Sequence, residues 1–212
     1  PKNIVIGDGG TPTPTPEPCV NHWDLKQMIW DDVDYSNVNT SCLTSLDHMF
    51  MGMEIKYDIS NWDVSNVTNF MNAFQFAVTN NADISNWDVS KGENFSFMFN
   101  ASDFNSDISN WNVSNATNFE EMFHEASEFN QELNSWNVSK VVNFKSAFEE
   151  ATNFNGNISS WDVSNATTFE RMFESASNFN QDISNWNTTN LTSLSYIFYK
   201  ASNFNQELNN LH

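Results

Sequence analysis

Large apolar residues return along the chain about every 25 residues, with polar stretches between them. The clearest marker is a series of tryptophans at steps of 25, 24, 25, 25 and 25 residues: Trp62, Trp87, Trp111, Trp136, Trp161 and Trp186. Such regular spacing of a bulky, infrequent side chain predicts a stack of similar units, each packed on its neighbours. Candidate functional residues must therefore be compared in columns, where a column is the set of residues at the same repeat position in successive units.

Within a unit the apolar positions fall into two groups. The first follows the L-x-x-L-x-L frame of leucine-rich repeats: Ile158, Trp161, Val163 and Ala166. Its period of two at Trp161 and Val163 predicts a short strand with both side chains inward. The second group has spacings of three and four, which predict one or two helical turns: Phe169, Met172, Phe173 and Ala176. We therefore expect an α/β solenoid, a right-handed leucine-rich-repeat-like stack of strand–turn–short-helix units.

The array is predicted to cover residues 34–212, with seven full units and a partial eighth. Val38 takes the tryptophan position in a degenerate first unit, and Leu211 takes it at the other end. Residues 1–18 are predicted to be the end of a preceding segment followed by a Thr/Pro linker. Residues 19–33 contain apolar positions at helical spacing and are expected to form a helical cap over the first unit.

Two cysteines, Cys19 and Cys42, flank the predicted cap. An even count favours one disulfide in an extracellular protein, with two free buried thiols as the alternative. A bond between them would pin the cap to the first unit. Closing a loop of about two dozen residues could stabilise the fold by about 3 kcal/mol in the chain-entropy model.

Two strings in the array resemble a known repeat: Phe179-Asn180-Gln181-Asp182-Ile183-Ser184-Asn185-Trp186 and Asp63-Val64-Ser65-Asn66-Val67-Thr68. They are similar to the 25-residue repeat of mycoplasma surface lipoproteins, which belongs with the BspA-like leucine-rich repeat surface proteins. The resemblance covers about residues 34–211. It implies a cell-surface or secreted protein, often one that adheres to host or matrix partners, and it supplies no catalytic residues.

The excess of acidic residues excludes some classes of binding partner. With 8 Lys and Arg against 27 Asp and Glu, the net charge is −19. Such a surface repels nucleic acid and anionic membranes, and no run of 18 apolar residues exists to span a bilayer. We expect an extracellular monomer that recognises a protein or glycan on another cell or matrix, without nucleic-acid binding or membrane insertion.

The candidate binding residues flank each tryptophan on the outward side of the predicted strand. Small polar side chains stand there in every unit: Asn61, Asp63, Asn86, Asp88, Asn110, Asn112, Ser135, Asn137, Ser160, Asp162, Asn185 and Asn187. In a stacked sheet they would form columns with neighbours ~4.8 Å apart. The columns fit either a solvated sheet face or a surface for a glycan or peptide, and a regular lattice such as ice or a mineral is a third option.

A further, mostly acidic column lies four residues before each tryptophan position: Asp58, Asp83, Asp107, Glu132, Asn157, Asp182 and Glu207. Stacked carboxylates about 5 Å apart repel by roughly 0.8 to 3 kcal/mol per pair. Splaying into water, accepting a backbone N–H or bridging a cation would relieve this, and we expect the hydrogen bond to a turn amide. Ca²⁺ remains open as a bridge, but the sequence assigns no metal site and no cofactor.

Catalysis is not expected. The four histidines, His22, His48, His124 and His212, are scattered over the chain. Only His124 stands out from its repeat equivalents, and it is expected on the outer surface. No phosphate loop or zinc-protease motif occurs. The sequence therefore favours a non-catalytic surface adhesion module, with a structural spacer as the alternative. At ~4.8 Å per unit, seven steps reach only about 34 Å, which is short for a stalk.

Overall fold

The computed structural model describes residues 18–208. Within this range the single helix is α1, His22–Trp30, and the remaining backbone is a succession of turns with seven isolated parallel bridges in place of strands. The predicted α/β solenoid is therefore wrong, because the described repeats contain neither a sheet nor a helix. The linker within residues 1–17, Leu211 and His212 lie outside the described residues.

A helix does form in the segment predicted to be a cap. The Asn21 side chain accepts the Asp24 N–H at 3.0 Å and so starts α1. Leu25 and Ile29 are buried against the first coil of the stack. The predicted disulfide is present, since Cys19 is bonded to Cys42. The helix is thus held to the stack by apolar packing and by one covalent link.

Around each tryptophan the backbone makes two turns instead of a strand. The Trp161 N–H donates to the Ile158 carbonyl at 3.2 Å, and the Ala166 N–H donates to the Val163 carbonyl at 2.9 Å. Trp161 and Val163 do point inward, with 3% and 1% exposure. They sit in the short connection between two turns, however, and no backbone hydrogen bond joins neighbouring coils at these two residues.

The segment predicted to be helical forms a hydrogen-bond ladder between coils. In residues 119–125, every second N–H donates to a carbonyl of the next coil at 2.8–2.9 Å. The donors are Phe119, Glu121, Phe123 and Glu125, and the acceptors are Asn143, Lys145, Ala147 and Glu149. The same pattern joins the equivalent ladder segments 46–52, 70–76, 95–101, 144–150 and 169–175 to the coils that follow them.

Left-handed residues explain why this segment is not a helix. Glu121 has φ 51° and Glu125 has φ 56°, and their counterparts in the other coils are also left-handed. An α-helix requires right-handed φ at every residue, so these positions break the i→i−4 bonds and turn the N–H groups toward the next coil. For a non-glycine residue this conformation costs roughly 1–2 kcal/mol, which the bonds between coils offset.

The core is a set of aromatic columns that run through the stack. Beside the ladder, Phe74 and Phe99 are 5.4 Å apart between ring centroids, and Phe123 and Phe148 are 5.3 Å apart. On the other side Trp136 stacks between Trp111 and Trp161 at 6.4 and 6.5 Å. Each coil therefore buries its aromatic rings against the equivalent rings of the coils on either side.

The tryptophans also join coils through a side-chain hydrogen bond. The Trp136 indole N–H donates to the Ile108 carbonyl at 3.0 Å, and the Trp161 indole N–H donates to the Leu133 carbonyl at 2.9 Å. Among the described residues no buried side-chain nitrogen or oxygen lacks a hydrogen-bond partner. The core therefore uses its polar atoms for structure, and binding chemistry must be sought on the surface.

Candidate functional site

We call the residues directly before and after each tryptophan the flanking columns. All of the predicted site residues are exposed there: Asn61, Asp63, Asn86, Asp88, Asn110, Asn112, Ser135, Asn137, Ser160, Asp162, Asn185 and Asn187. Their outward direction follows from the buried tryptophan between them. The expectation that they lie on a strand face is wrong, since the backbone beside them is made of turns.

The column before the tryptophans contains hydrogen-bonding groups that the fold does not use. Among the described residues, no partner contacts the side-chain amides of Asn61, Asn86, Asn110 and Asn185. Two serines of the same column are engaged instead: the Ser160 hydroxyl donates to the Asn134 carbonyl at 2.8 Å, and Ser135 donates to the Ser109 carbonyl. A side-chain amide has both a hydrogen-bond donor and an acceptor, so each of these asparagines can donate to a ligand and accept from it.

The column after the tryptophans caps turns. In all six coils its side-chain oxygen accepts the N–H of the residue two positions later at 3.0–3.2 Å. This is an Asx turn, which explains why only Asp and Asn occupy the column. Each Asp keeps a second oxygen and each Asn keeps its amino group, so the column retains part of its binding capacity.

These turn hydrogen bonds also set the charge of the flanking columns. The Ser65 hydroxyl lies 2.6 Å from the Asp63 carboxylate, and this contact, with the Ser65 N–H, lowers the pKa of Asp63 below its ordinary value. The pKa of Asp162 is lowered in the same way by Ser164. Both aspartates are therefore ionised at neutral pH, and they present negative charge beside neutral amides.

The repulsion predicted between stacked carboxylates is relieved as expected, because side-chain oxygens of the acidic column accept hydrogen bonds from backbone N–H groups in turns. The side-chain oxygens of Asp58, Asp83, Asp107, Asn157 and Asp182 accept the N–H two residues later at 2.8–3.0 Å. Hydrogen bonds from the following serines lower the pKa of all four aspartates. Glu132 differs, since it accepts the Asn157 N–H of the next coil at 2.9 Å.

No group of three or more His, Cys, Asp or Glu side chains among residues 18–208 is arranged to hold a metal ion. A cleft of about 160 Å³ lies beside Asp58 and Asp83, where Asn80 stands at the position that Phe129 holds two coils later. This volume is below the roughly 300–1,000 Å³ of usual ligand pockets.

The outer surface of the ladder is a second feature, which the predicted helical turns did not reveal. Exposed apolar side chains lie at its first coils, including Met51, Phe76 and Val78. Acidic side chains dominate its middle coils: Glu120, Glu121, Glu125, Glu149, Glu150, Glu170 and Glu174. Arg171 pairs with Glu149 and Glu174 at 3.6 and 3.0 Å. Two left-handed residues per coil set which side chains share this surface, and the apolar spacing contains no sign of them.

His124 lies on this ladder surface and is mostly buried, with 20% of its side chain exposed, which differs from the expected exposed position. Its Nδ1 lies 2.9 Å from the Asn100 amide nitrogen and 3.5 Å from Glu121. Burial raises the pKa of Glu121. Among the described residues no nucleophile or second histidine contacts this group, so the geometry is that of a packed polar cluster.

The fold and its surface columns define a class of repeat protein in which turn-rich 25-residue coils stack around aromatic columns. The family model described as Mycoplasma protein of unknown function, DUF285, matches residues 21–136 and 120–212, nearly the whole chain, and the chain belongs to this family. The finer assignment to BspA-like leucine-rich repeats is not confirmed.

No curated protein and no solved structure matches the chain. None of the described helices is long and apolar enough to cross a membrane.

Proposed function

We propose that this chain is a non-catalytic binding module of a bacterial cell surface, which recognises a protein or glycan through the flanking columns. The observation that carries the proposal is the set of exposed, unbonded amides in three consecutive coils, at Asn61, Asn86 and Asn110, and again at Asn185 beyond two coils with serine at this position. A repeated array of identical donors and acceptors suits a partner that is itself repetitive or extended.

The chemistry of the columns favours a polar partner. The columns contain neutral amides and ionised carboxylates, the latter including Asp63 and Asp162, and amide and carboxylate groups hydrogen bond well to sugar hydroxyls and to peptide backbones. The overall charge of −19 disfavours anionic partners. The family match to a mycoplasma protein family is in keeping with a surface protein.

The second candidate is a spacer that displays another domain and has no ligand of its own. The use of one oxygen from each residue after the tryptophan as a turn cap favours this alternative, because that column has a structural reason to be Asp or Asn. The four asparagines before the tryptophans make no such hydrogen bond to the described residues, and for them we prefer the binding function.

The test is an array of glycans and extracellular matrix proteins probed with the intact chain. The test variant replaces Asn61, Asn86 and Asn110 by Ala, since their side chains make no hydrogen bond to the described residues that the fold would lose. We expect it to keep its melting temperature and to weaken any hit by at least about tenfold, the size of one or two lost hydrogen bonds.

A matched control replaces Gln27, Ser127 and Thr152 by Ala, which are exposed positions away from the flanking columns. This control should bind as the wild type does. Hits that survive in the test variant would contradict the proposed site and move it to the ladder surface or the cap. A chain that binds nothing on the array would favour the spacer.

A further inference from the structure

One residue of the ladder is not explained by the stability of the fold. Phe76 has φ 56° and is 53% exposed. For a bulky side chain the left-handed conformation is a rare outlier that costs roughly 1–2 kcal/mol. Its N–H donates to the Asn100 carbonyl at 2.8 Å, but any residue except proline supplies that donor. The exposed phenyl ring therefore indicates a role outside the fold.

Phe76 belongs to a column whose residues share one repeat position and a positive φ. We call it the left-handed column, and it contains Gly52, Phe76, Ala101, Glu125, Glu150 and Ser175. Each of their N–H groups donates to the next coil, so the backbone is alike in all six coils while the side chains differ. Gly52 shows that the position needs no side chain. The ladder therefore sets the spacing of the column and leaves its chemistry free to vary.

The first coils give this surface an apolar end. Val78 lies two residues after Phe76 and is 49% exposed, and Met51 of the preceding coil is 41% exposed. The two coils are joined where the Gly52 N–H donates to the Gln75 carbonyl at 2.8 Å, so these side chains lie on neighbouring coils. Exposed apolar side chains grouped in this way are typical of an interaction surface.

The later coils give the same column an acidic end. Glu125 and Glu150 are exposed and lie two and three coils after Phe76, which places them about 10 and 15 Å away at ~4.8 Å per coil. Among the described residues Glu150 forms no ion pair, and Glu125 pairs only with His124, at 3.6 Å. Both carboxylates are therefore accessible to a cationic partner.

The combination of an apolar end and an acidic end selects the class of partner. The net charge of −19 repels nucleic acid and anionic membranes, and a neutral glycan would leave both carboxylates without a counter-charge. A polypeptide can present apolar and basic side chains along one edge. An extended segment rises ~3.3 Å per residue, so basic residues three to five positions from the apolar one would reach Glu125 and Glu150.

We propose that the left-handed column is a docking surface for a basic polypeptide segment. An apolar side chain of the segment packs on Phe76, and its lysine or arginine side chains pair with Glu125 and Glu150. The ladder and the tryptophans lie on different sides of each coil, so this surface is separate from the flanking columns. The inference therefore does not depend on the proposed binding function, and either can fail alone.

The probe is a synthetic peptide in which one leucine is followed, after two glycines, by three lysines. The intact chain is titrated with it, and NMR follows the backbone amide signals. We expect the shifts to concentrate at Phe76, Ala101, Glu125 and Glu150. Phe76→Gly should be at least as stable as the wild type, since Gly52 occupies the equivalent position. It should nevertheless weaken peptide binding at least about tenfold, because the apolar contact is lost.

The charge of the column is tested by Glu125→Gln combined with Glu150→Gln. This variant should also bind at least about tenfold more weakly, and its binding should depend less on salt. The matched control, Glu93→Gln combined with Glu128→Gln, removes the same charge at exposed positions outside the column. The control should bind the peptide as the wild type does.

Equal weakening by the two double variants would overturn the proposal, because net charge alone would then attract the peptide. Unchanged binding in Phe76→Gly, or a wild type that shows no shifts, would overturn it as well. A loss of stability in Phe76→Gly would contradict its premise, since the ring would then have a role in the fold.

Discussion

The two sides of each coil are joined to their neighbours by different means. Along the ladder, backbone N–H groups such as those of Glu121 and Phe123 donate directly to the next coil. Along the tryptophan side, the indole of Trp136 makes the connection, and Asp and Asn side chains cap the turns beside it. Most substitutions leave a backbone ladder intact but would remove a turn cap. On the tryptophan side the residues free to vary are therefore those before the tryptophan whose side chains make no hydrogen bond to the described residues, Asn61, Asn86, Asn110 and Asn185.

The largest loss of stability is expected when a tryptophan is removed from the stacked tryptophan column. Trp136 is 3% exposed and stacks on two other tryptophans. Trp136→Ala should lower the free energy of unfolding by about 3–5 kcal/mol, from lost burial and a cavity. Urea denaturation followed by circular dichroism measures it. Val142→Ala, at a 42% exposed position, is the control and should change stability by less than about 0.5 kcal/mol.

A loss of stability at Trp136 near that of the control would mean that the tryptophan column does not hold the coils together. Trp136→Phe separates packing from hydrogen bonding, since it keeps an aromatic ring and removes the indole donor. The Ile108 carbonyl would still accept the Trp111 N–H at 3.1 Å. We therefore expect Trp136→Phe to cost less than Trp136→Ala.

The ladder side is tested at a single left-handed donor. Glu125 has φ 56°, and its N–H donates to the Glu149 carbonyl at 2.8 Å. Glu125→Pro removes this donor and forces φ to about −65°, and it should destabilise the fold by about 3 kcal/mol or more. Glu125→Gly keeps the donor and favours positive φ, so it should be at least as stable as the wild type.

Thermal denaturation of the two Glu125 variants distinguishes the ladder from a helix. In a helix both substitutions would be unfavourable, glycine by about 1 kcal/mol and proline by about 3 kcal/mol. In the ladder glycine is neutral or stabilising, and Gly52 already occupies the equivalent position in the first coil. A clear loss of stability in Glu125→Gly would contradict the left-handed geometry.

A smaller effect is expected from acid on the turn caps. The folded pKa of Asp58, Asp83 and Asp182 is lowered by hydrogen bonds from Ser60, Ser85 and Ser184. A lowered folded pKa stabilises the fold above the unfolded value of about 3.9, and this contribution is lost as the pH falls through the lower folded value. The melting temperature should therefore fall over this acidic range.

Replacing these three aspartates by Asn should reduce the fall in melting temperature, because Asn157 makes the same turn bond without a titrating group. The control removes the same number of charges by replacing Glu93, Glu128 and Glu150 with Gln, at exposed positions that cap no turn. The control should keep the acid sensitivity of the wild type. Equal profiles for the two triple variants would show that the Asx turns do not couple stability to pH.

The period of the repeat and its buried aromatic columns could be predicted from the sequence, because large apolar residues at a regular period can be buried together only if the units pack in register. The Cys19–Cys42 bond was also predictable. The secondary structure was not, since spacings of three and four at Phe169, Met172 and Phe173 fit a helix and a ladder of turns equally well. What separates them is backbone handedness at residues such as Arg171, with φ 57°, and side-chain periodicity does not report it.

The exposure of the candidate binding residues could be predicted from the sequence, because it depends only on the burial of the tryptophan between them. A buried tryptophan forces its neighbours outward on a strand or between turns, so the exposed positions of the flanking columns did not depend on the wrong fold class. Which of the flanking residues use their side chains within the fold could not be predicted. Only the structure shows that Asn112 caps a turn while Asn110 makes no side-chain hydrogen bond among the described residues.

The most direct test of the difference between the two sides is amide hydrogen exchange at individual residues of the native chain. The N–H groups of Glu121, Phe123 and Glu125 donate to the next coil, and they should exchange only when the coils separate or the chain unfolds. The N–H groups of Asn110, Asn112 and Asn137 have no acceptor within residues 18–208 and should exchange orders of magnitude faster. Similar protection of the two sets of N–H groups would contradict the account, because it requires backbone bonds to the next coil at residues 119–125 and none at the residues that flank the tryptophans.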